Sequence, residues 1–128
     1  MALNVLLVDD SDTTRRIITK ALKMAQTPIG ELHEAVNGEE ALELLSRHWV
    51  DLVFADINMP VMDGVELVKR LKQDELLENL PVIIVSTEGS AQRISLLNEL
   101  GVRAFIRKPF TPEMLQEVVN DVMGEKHG

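Results

Sequence analysis

Short runs of consecutive apolar residues constrain the fold of this chain more than any other feature of its sequence. They lie at Val5–Val8, Leu52–Ala55 and Val82–Val85, and a weaker run follows at Val102–Ile106. A strand with one face in water alternates apolar and polar residues, whereas a parallel strand covered by helices on both faces is continuously apolar. The runs therefore predict a parallel sheet that is buried on both sides.

Segments with apolar residues at helical spacing alternate with these runs. The apolar positions are, in chain order, Ile17, Ile18, Ala21, Leu22 and Ala25; Ala41, Leu44 and Leu45; Val65, Leu67, Val68 and Leu71; Ile94, Leu97 and Leu100; and Met114, Leu115, Val118, Val119 and Val122. The short, polar segment Glu31–Val36 lies where one more strand is needed. Five strands that alternate with five helices predict a doubly wound α/β domain, because right-handed crossovers place helices on both faces of the sheet.

Residues with specific helix-capping preferences mark several of the helix boundaries. Gly101 and Gly124 follow two of the helical segments, where a left-handed cap is expected, and Thr111–Pro112 provides an N-cap and a first-turn proline. Asp12 is also expected to act as a helix cap. No linker or repeat interrupts this order, so we expect a single domain over residues 1–128.

Polar residues follow the apolar runs at the points where the strands should end. Asp9 and Asp10 follow the first, Asp56 follows the third strand, Ser86 follows the fourth, and Lys108 lies near the end of the fifth. The carboxyl ends of parallel strands form the ligand-binding edge of such a sheet, so these side chains should meet there.

The chemistry of this group of residues indicates phosphoryl transfer to a carboxylate. Three neighbouring carboxylates repel one another unless a cation intervenes, and hard oxygen ligands suit Mg²⁺. A lysine and a hydroxyl beside them can bind phosphoryl oxygens. Taken singly, an Asp after a strand is more often a helix cap, but the coincidence of Asp9, Asp10, Asp56 and Lys108 at strand ends favours function.

Charge and composition exclude several other classes of protein. The net charge of −8 disfavours direct binding to nucleic acid, which needs clustered Lys and Arg. The apolar runs are far too short to span a bilayer. The absence of cysteine fits a reducing compartment, and we expect the cytoplasm.

The three histidines and the single tryptophan are residue types that often have functional roles, but here we expect structural ones. His33, His48 and His127 share no spacing with one another or with the carboxylates, which predicts ordinary surface or hydrogen-bonded histidines. Trp49 precedes an apolar strand and is expected to be a packing anchor.

Four motifs together resemble the receiver domain of bacterial response regulators, and particularly the stand-alone chemotaxis receivers. They are Val8-Asp9-Asp10, Asp56-Ile57-Asn58-Met59-Pro60 with Asp63-Gly64, Pro81-Val82-Ile83-Ile84-Val85-Ser86, and Lys108-Pro109-Phe110. The resemblance covers essentially the whole chain. It implies the flavodoxin-like strand order 2-1-3-4-5 and a cis peptide bond between Lys108 and Pro109.

The resemblance also implies a role for each residue of the site. Asp56 would accept a phosphoryl group from a histidine kinase, a phosphotransfer domain or a small phosphodonor. Asp10, Asp56 and the main-chain carbonyl of Asn58 would bind Mg²⁺ directly, and Asp9 would do so through water. Ser86 and Lys108 would contact phosphoryl oxygens. Asn58 and Glu88 would tune the autodephosphorylation reaction.

The same resemblance implies a switch that controls a partner protein through the face formed by the fourth helix, fifth strand and fifth helix. Ser86 and Phe105 would be its switch residues. Chemotaxis receivers usually carry tyrosine where this chain has Phe105, which leaves open whether the output partner is the flagellar motor or another protein. Ser86 stands where threonine is commoner.

Two alternative interpretations remain from the sequence. Asp10-Ser11-Asp12-Thr13-Thr14 fits the D-x-D-x-T pattern of haloacid-dehalogenase phosphatases, in which Asp10 would be the nucleophile. However, the acidic pair that those enzymes need after the lysine is missing. The chain could also be a receiver cut from a longer DNA-binding regulator, although its short polar tail favours a stand-alone protein.

Overall fold

Five strands and five helices alternate along the chain in a computed structural model, which describes residues 2–24, 28–87 and 90–127. In order they are β1 (Leu3–Val8), α1 (Asp12–Met24), β2 (Ile29–Ala35), α2 (Gly38–Leu45), β3 (Leu52–Ala55), α3 (Gly64–Lys72), β4 (Val82–Ser86), α4 (Ala91–Glu99), β5 (Ala104–Arg107) and α5 (Pro112–His127). All strands are parallel in the order β2-β1-β3-β4-β5, which confirms the predicted fold.

The alternation of side chains along each strand divides the interior into two hydrophobic cores. Leu6, Val53 and Ile84 point into the core covered by α2, α3 and α4, whereas Leu7 and Phe54 point into the core covered by α1 and α5. Every residue of β3 and β4 is buried, as continuous apolar runs predict. The sheet is therefore a rigid middle layer whose carboxyl edge can hold side chains in place.

Strand β2 is polar because it lies at the edge of the sheet and pairs only with β1. It begins at Ile29, two residues before the predicted start, and ends at Ala35. Its buried residue is Ala35, and its other residues are partly or fully exposed. An edge strand with so little burial cannot show the apolar run by which the other strands were recognised.

The predicted caps have mixed outcomes. Gly101 has a φ of +91°, and the Oγ1 of Thr111 accepts a hydrogen bond from the Met114 amide at 3.1 Å, so both caps are confirmed. Gly124 does not end its helix, because α5 continues to His127. An interior glycine costs only about 1 kcal/mol relative to alanine, which the other residues of a 16-residue helix can outweigh.

The structure also corrects the roles expected for Asp12 and Trp49. Asp12 is the first residue of α1, and the cap is Ser11, whose Oγ accepts a hydrogen bond from the Thr14 amide at 3.2 Å. Trp49 is 72 % exposed, and its Nε1 donates to the Asp51 carboxylate at 3.0 Å. It is therefore not a packing anchor.

Within the described ranges, no helix has the length and apolar character needed to cross a membrane.

Candidate functional site

Backbone hydrogen bonds at the carboxyl edge of the sheet bring the predicted site residues together. The amide of Asp9 donates to the Ala35 carbonyl at 3.0 Å, that of Asp56 to Val8 at 2.9 Å, and that of Lys108 to Ser86 at 3.1 Å. Each bond continues the pairing between two strands by one residue. Each side chain therefore starts from a position that the sheet determines.

An ion pair at the centre of the site joins the first, third and fifth strands. The Nζ of Lys108 donates to Asp9 Oδ2 at 3.0 Å and to Asp56 Oδ2 at 2.9 Å. The Asp9 and Asp56 side chains are only 4 % and 11 % exposed, and that of Lys108 is 19 % exposed. Ser86 is also buried, at the end of β4. The Lys108–Pro109 peptide bond is cis, as predicted.

Main-chain amides orient the remaining oxygen of each buried carboxylate. Asp9 Oδ1 accepts from the Ser11 amide at 2.8 Å, and Asp56 Oδ1 accepts from the Ile57 amide at 2.7 Å. Burial raises the pKa of the Asp9 carboxyl, and the Ser11 and Lys108 hydrogen bonds offset this only in part. Burial alone would lower the pKa of Lys108, but its bonds to Asp56 and Asp9 hold that pKa above its usual value.

The carboxylates of Asp9, Asp10 and Asp56 form a group suited to a hard divalent cation. One oxygen from each lies within 4.8 Å of the others, and Asp10 is exposed at the mouth of the site. Three carboxylates and one ammonium leave an excess of negative charge, and carboxylate oxygens are the ligands that Mg²⁺ prefers. The residues therefore fit the magnesium site that the sequence predicts.

The loop after Asp56 follows a path that glycine makes possible. The Gly64 amide donates to the Ile57 carbonyl at 2.8 Å, so the start of α3 folds back against the end of β3. A Cβ on Gly64 would overlap the Asp56 carbonyl oxygen and lie 2.9 Å from the Ile57 Cα. In the same loop Val61, which is 77 % exposed, has a φ of +67° that β-branched residues rarely adopt.

Two arginines for which the sequence predicts no role, Arg15 and Arg93, contact residues of the site. The Nη1 of Arg15 donates to the main-chain carbonyl of Asp9 at 2.6 Å, and its side chain is 12 % exposed. Arg15 lies three and seven residues before the buried Ile18 and Leu22, so a charged residue on the apolar face of α1 was a usable signal.

Arg93 of α4 contacts the loop that follows the central strand. Its Nη1 donates to Asn58 Oδ1 at 2.8 Å and its Nη2 to Asp63 Oδ2 at 3.2 Å. Asp63 also caps α3 by accepting from the Glu66 amide at 2.9 Å. Nothing in the sequence indicates this contact, because Arg93 lies 35 and 30 residues from its two partners.

Two of the remaining predicted residues, Phe105 and Asn58, lie within the described part of the chain. Phe105 pairs with Ile84 in the β4–β5 register and packs, partly buried, against the core beneath α4. Asn58 is exposed beside the acidic group. Glu88 lies outside the described residues.

Comparison with known proteins gives consistent matches along the chain. A family model described as the response regulator receiver domain matches residues 5–120. A Chemotaxis protein CheY homolog from Campylobacter jejuni is 40 % identical over 98 % of this chain and 96 % of its own length. Chemotaxis protein CheY1 from Helicobacter pylori is 37 % identical over 95 % of this chain and 98 % of its own.

Solved structures show the same fold. The chemotaxis response regulator CheY4 of Vibrio cholerae has a TM-score of 0.84 at 31 % identity, covering 95 % of this chain and 99 % of that one. A putative response regulator from Chloroflexus aurantiacus has a TM-score of 0.87 at 29 % identity, with 97 % and 99 % covered.

Proposed function

Because the chain belongs to the response-regulator receiver family, whose members are phosphoacceptors in two-component signalling, we propose that Asp56 is its phosphorylated residue. The ion pair with Lys108 is the observation that carries this proposal. Asp56 lies at the end of the central strand, next to the exposed Asp10 and the buried Ser86. An ammonium and a hydroxyl near the same carboxylate are the types of group that stabilise phosphoryl oxygens.

The reaction is the transfer of a phosphoryl group to a carboxylate oxygen. An Asp56 oxygen attacks the phosphorus of a phosphohistidine or a small phosphodonor, the bond from phosphorus to the donor breaks, and an acyl phosphate forms. The Lys108 ammonium, now beside Asp56 Oδ2, can turn to a phosphoryl oxygen without leaving the site. Ser86 donates its hydroxyl proton to another phosphoryl oxygen.

Asp9, Asp10 and Asp56 would hold Mg²⁺, together with the main-chain carbonyl of Asn58. When bound, the cation supplies positive charge that neutralises both the carboxylates and the phosphoryl oxygens. Asp9, whose oxygen is already bonded to Lys108, would contribute through water. The exposed position of Asp10 leaves it accessible for direct binding.

The geometry favours Asp56 over Asp10 as the nucleophile, which separates the receiver from the phosphatase interpretation. Lys108 and a main-chain amide contact Asp56, whereas Asp10 is exposed. Incubation with radiolabelled acetyl phosphate and Mg²⁺ should label the wild-type protein and not Asp56→Asn. Asp12→Asn, which makes the same chemical change in the first turn of α1, is the matched control and should be labelled normally. Labelling of Asp56→Asn at the wild-type level would contradict the assignment.

The same site would also remove its own phosphoryl group by attack of water. Asn58 follows the proposed acceptor by two residues, and its side-chain oxygen accepts a hydrogen bond from Arg93 Nη1 at 2.8 Å. Arg93→Gln, which breaks this contact, is expected to change the rate at which label is lost without changing the labelled residue. Asn58 and Glu88 would tune this rate by controlling access of water to the acyl phosphate.

Phosphorylation would be read out on the face formed by α4, β5 and α5. A dianion on Asp56 attracts the Ser86 hydroxyl, and the space it leaves can be filled by the Phe105 ring, which is already partly buried under α4. Beryllofluoride should therefore shift backbone NMR signals across α4, around Phe105 and into α5. Shifts confined to Asp9, Asp56, Ser86 and Lys108 would contradict this switch.

The partners would be a histidine kinase or phosphotransfer domain and a downstream protein target, in the cytoplasm. The 40 % identity to a Chemotaxis protein CheY homolog supports a chemotaxis pathway, and the flagellar motor is one candidate target. Phe105 has no hydroxyl to offer such a target, so another output protein is the alternative. The net charge of −8 argues against direct binding to nucleic acid.

A further inference from the structure

A second group of ligand-type side chains lies away from the phosphorylation site. Glu31 and His33 project from the edge strand β2, and His48 lies in the connection from α2 to the amino-terminal end of β3. The carboxylates of Asp9 and Asp56 lie instead at the carboxyl ends of their strands. Although the sequence relates His33 and His48 by no spacing, the fold makes their rings neighbours, and His33 also contacts Glu31 as a hydrogen-bonded histidine.

The three side chains lie close enough together to bind one metal ion. One ligand atom from each residue lies within 4.8 Å of the other two. His33 Nε2 is 3.0 Å from Glu31 Oε1, and the His33 and His48 ring centroids are 4.2 Å apart at an interplanar angle of 31°. Bonds of about 2.0–2.2 Å in a tetrahedral site separate ligand atoms by roughly 3.4 Å. Glu31 is 62 % exposed, so its side chain can make the remaining adjustment.

The local charge also favours a cation. Glu34, Glu40, Glu43 and Arg47 line the shallow depression beside His48. Arg47 pairs with Glu43 at 3.1 Å and Arg15 pairs with Glu34 at 2.9 Å, so among the ion pairs of the described residues the Glu40 carboxylate is the one that is not neutralised. The depression therefore keeps a negative charge beside His48.

We propose that Glu31, His33 and His48 bind a divalent transition-metal ion, with Zn²⁺ the best match. Two imidazoles and one carboxylate are ligands that zinc accepts readily, whereas Mg²⁺ prefers oxygen ligands only. Three protein ligands leave a fourth position for water. The ion would link the edge strand β2 to the connection between α2 and β3, which are not adjacent in the chain.

The proposed zinc site contains two imidazoles, whereas the phosphorylation site contains carboxylates, so binding at the two sites can be measured separately. Zinc binding is measured by calorimetry on the full chain in excess Mg²⁺, which occupies the carboxylates of Asp9, Asp10 and Asp56. One zinc ion per chain is expected. The ring signals of His33 and His48 in the wild-type protein should shift on zinc addition, and X-ray absorption should show two imidazole nitrogens on the metal.

Variants then assign the ligands. Because loss of a residue that merely orients a ligand typically costs about 10–100-fold in metal affinity, loss of a ligand should cost at least about tenfold. His33→Gln and His48→Gln should both show this loss. Glu31→Gln should show it too, and because the Glu31 side chain is exposed, this change should leave folding intact. His127→Gln also removes one histidine, but from α5 on the other face of the sheet, and should bind zinc as the wild type does.

Three results would overturn the proposal. They are the absence of zinc binding in excess Mg²⁺, zinc binding with unchanged ring signals of His33 and His48, and zinc affinity in Glu31→Gln and His48→Gln equal to that of His127→Gln. Loss of phosphorylation in Asp56→Asn would affect none of these measurements, so the two proposals fail independently.

Discussion

Replacing Lys108 by methionine removes the ammonium that joins Asp9 and Asp56 while keeping a side chain of similar length. Lys108 donates two hydrogen bonds to carboxylates that are 4 % and 11 % exposed, so solvent screens the lost interactions only weakly. Hydrogen bonds to charged groups contribute about 1.5–3 kcal/mol each, and removing one partner of a buried ion pair costs about 3–5 kcal/mol. Since Asp9 can respond by taking up a proton, we expect a loss of roughly 2–4 kcal/mol in the free energy of unfolding.

The loss should depend on Mg²⁺ and on pH. Without the competing ammonium, the carboxylates should bind Mg²⁺ more tightly, so added Mg²⁺ should stabilise Lys108→Met more than the wild type.

The pKa of Asp9 is already raised in the folded state. A carboxyl whose folded pKa exceeds its unfolded pKa stabilises the folded state at low pH, and this contribution is lost as pH rises through the folded pKa. Because Lys108 lowers the Asp9 pKa, its removal should raise that pKa further in the variant. The difference in the free energy of unfolding between the wild type and Lys108→Met should therefore become smaller as pH falls from neutral into the mildly acidic range.

Urea unfolding followed by circular dichroism measures these effects. With a slope of about 2 kcal/mol per molar urea, the middle of the usual range, the midpoint in metal-free buffer should fall by roughly 1–2 M. Lys69→Met is the matched control, because Lys69 is an exposed lysine of α3, and it should unfold near the wild-type midpoint. If Lys108→Met is as stable as Lys69→Met, or responds to Mg²⁺ no more than the wild type, the ion pair does not hold the site together as argued.

Two further changes test the loop after Asp56. Gly64→Ala places a Cβ against the Asp56 carbonyl oxygen and should cost at least roughly 3 kcal/mol in urea unfolding, while Gly124→Ala, with nothing within 4 Å of its Cβ, should stabilise α5 by about 0.5–1 kcal/mol. If the two alanine variants are equally stable, the loop after Asp56 accommodates the added Cβ by a backbone shift of little energetic cost. Val61→Asn should relieve the positive φ of 67° and raise the melting temperature by roughly 3–5 °C, for a gain of about 1 kcal/mol. Leu76→Asn, at a position that is 90 % exposed, is its control, and an equal gain there would point to lower surface hydrophobicity instead.

Continuous apolar runs made the central strands predictable from the sequence. β3 has the predicted bounds Leu52–Ala55, and β4 extends the predicted run by one residue to Ser86. Burial on both faces leaves such strands no polar positions, so a run is enough to recognise them. β2 carries no such run because its edge position leaves most of its residues partly exposed, and its start was misplaced by two residues.

Residues that follow strands could be predicted to meet, because the topology alone brings the strand ends together. This reasoning found Asp9, Asp56 and Lys108, whose contacts the structure shows directly. The same reasoning does not predict the contact between Arg93 and Asn58, because Arg93 lies on α4 and the strand order does not determine where the side chains of a helix extend. The same limit hid the contact between His33 and His48, because no spacing in the sequence relates a strand to a distant turn.

The ion pair between Asp9 and Lys108 joins residues that are 99 positions apart in the chain. A nascent polypeptide emerging from the ribosome acquires Asp56 long before Lys108, but the Asp56 carboxylate does not have the Lys108 ammonium beside it until β5 has been made and has paired with β4. Under the proposal that Asp56 is the phosphorylated residue, competence for phosphorylation would be acquired only at this late stage. A truncated or half-synthesised chain would then offer a kinase Asp56 without the Lys108 charge that supports transfer, so incomplete copies of the protein would not draw phosphoryl groups away from the signal.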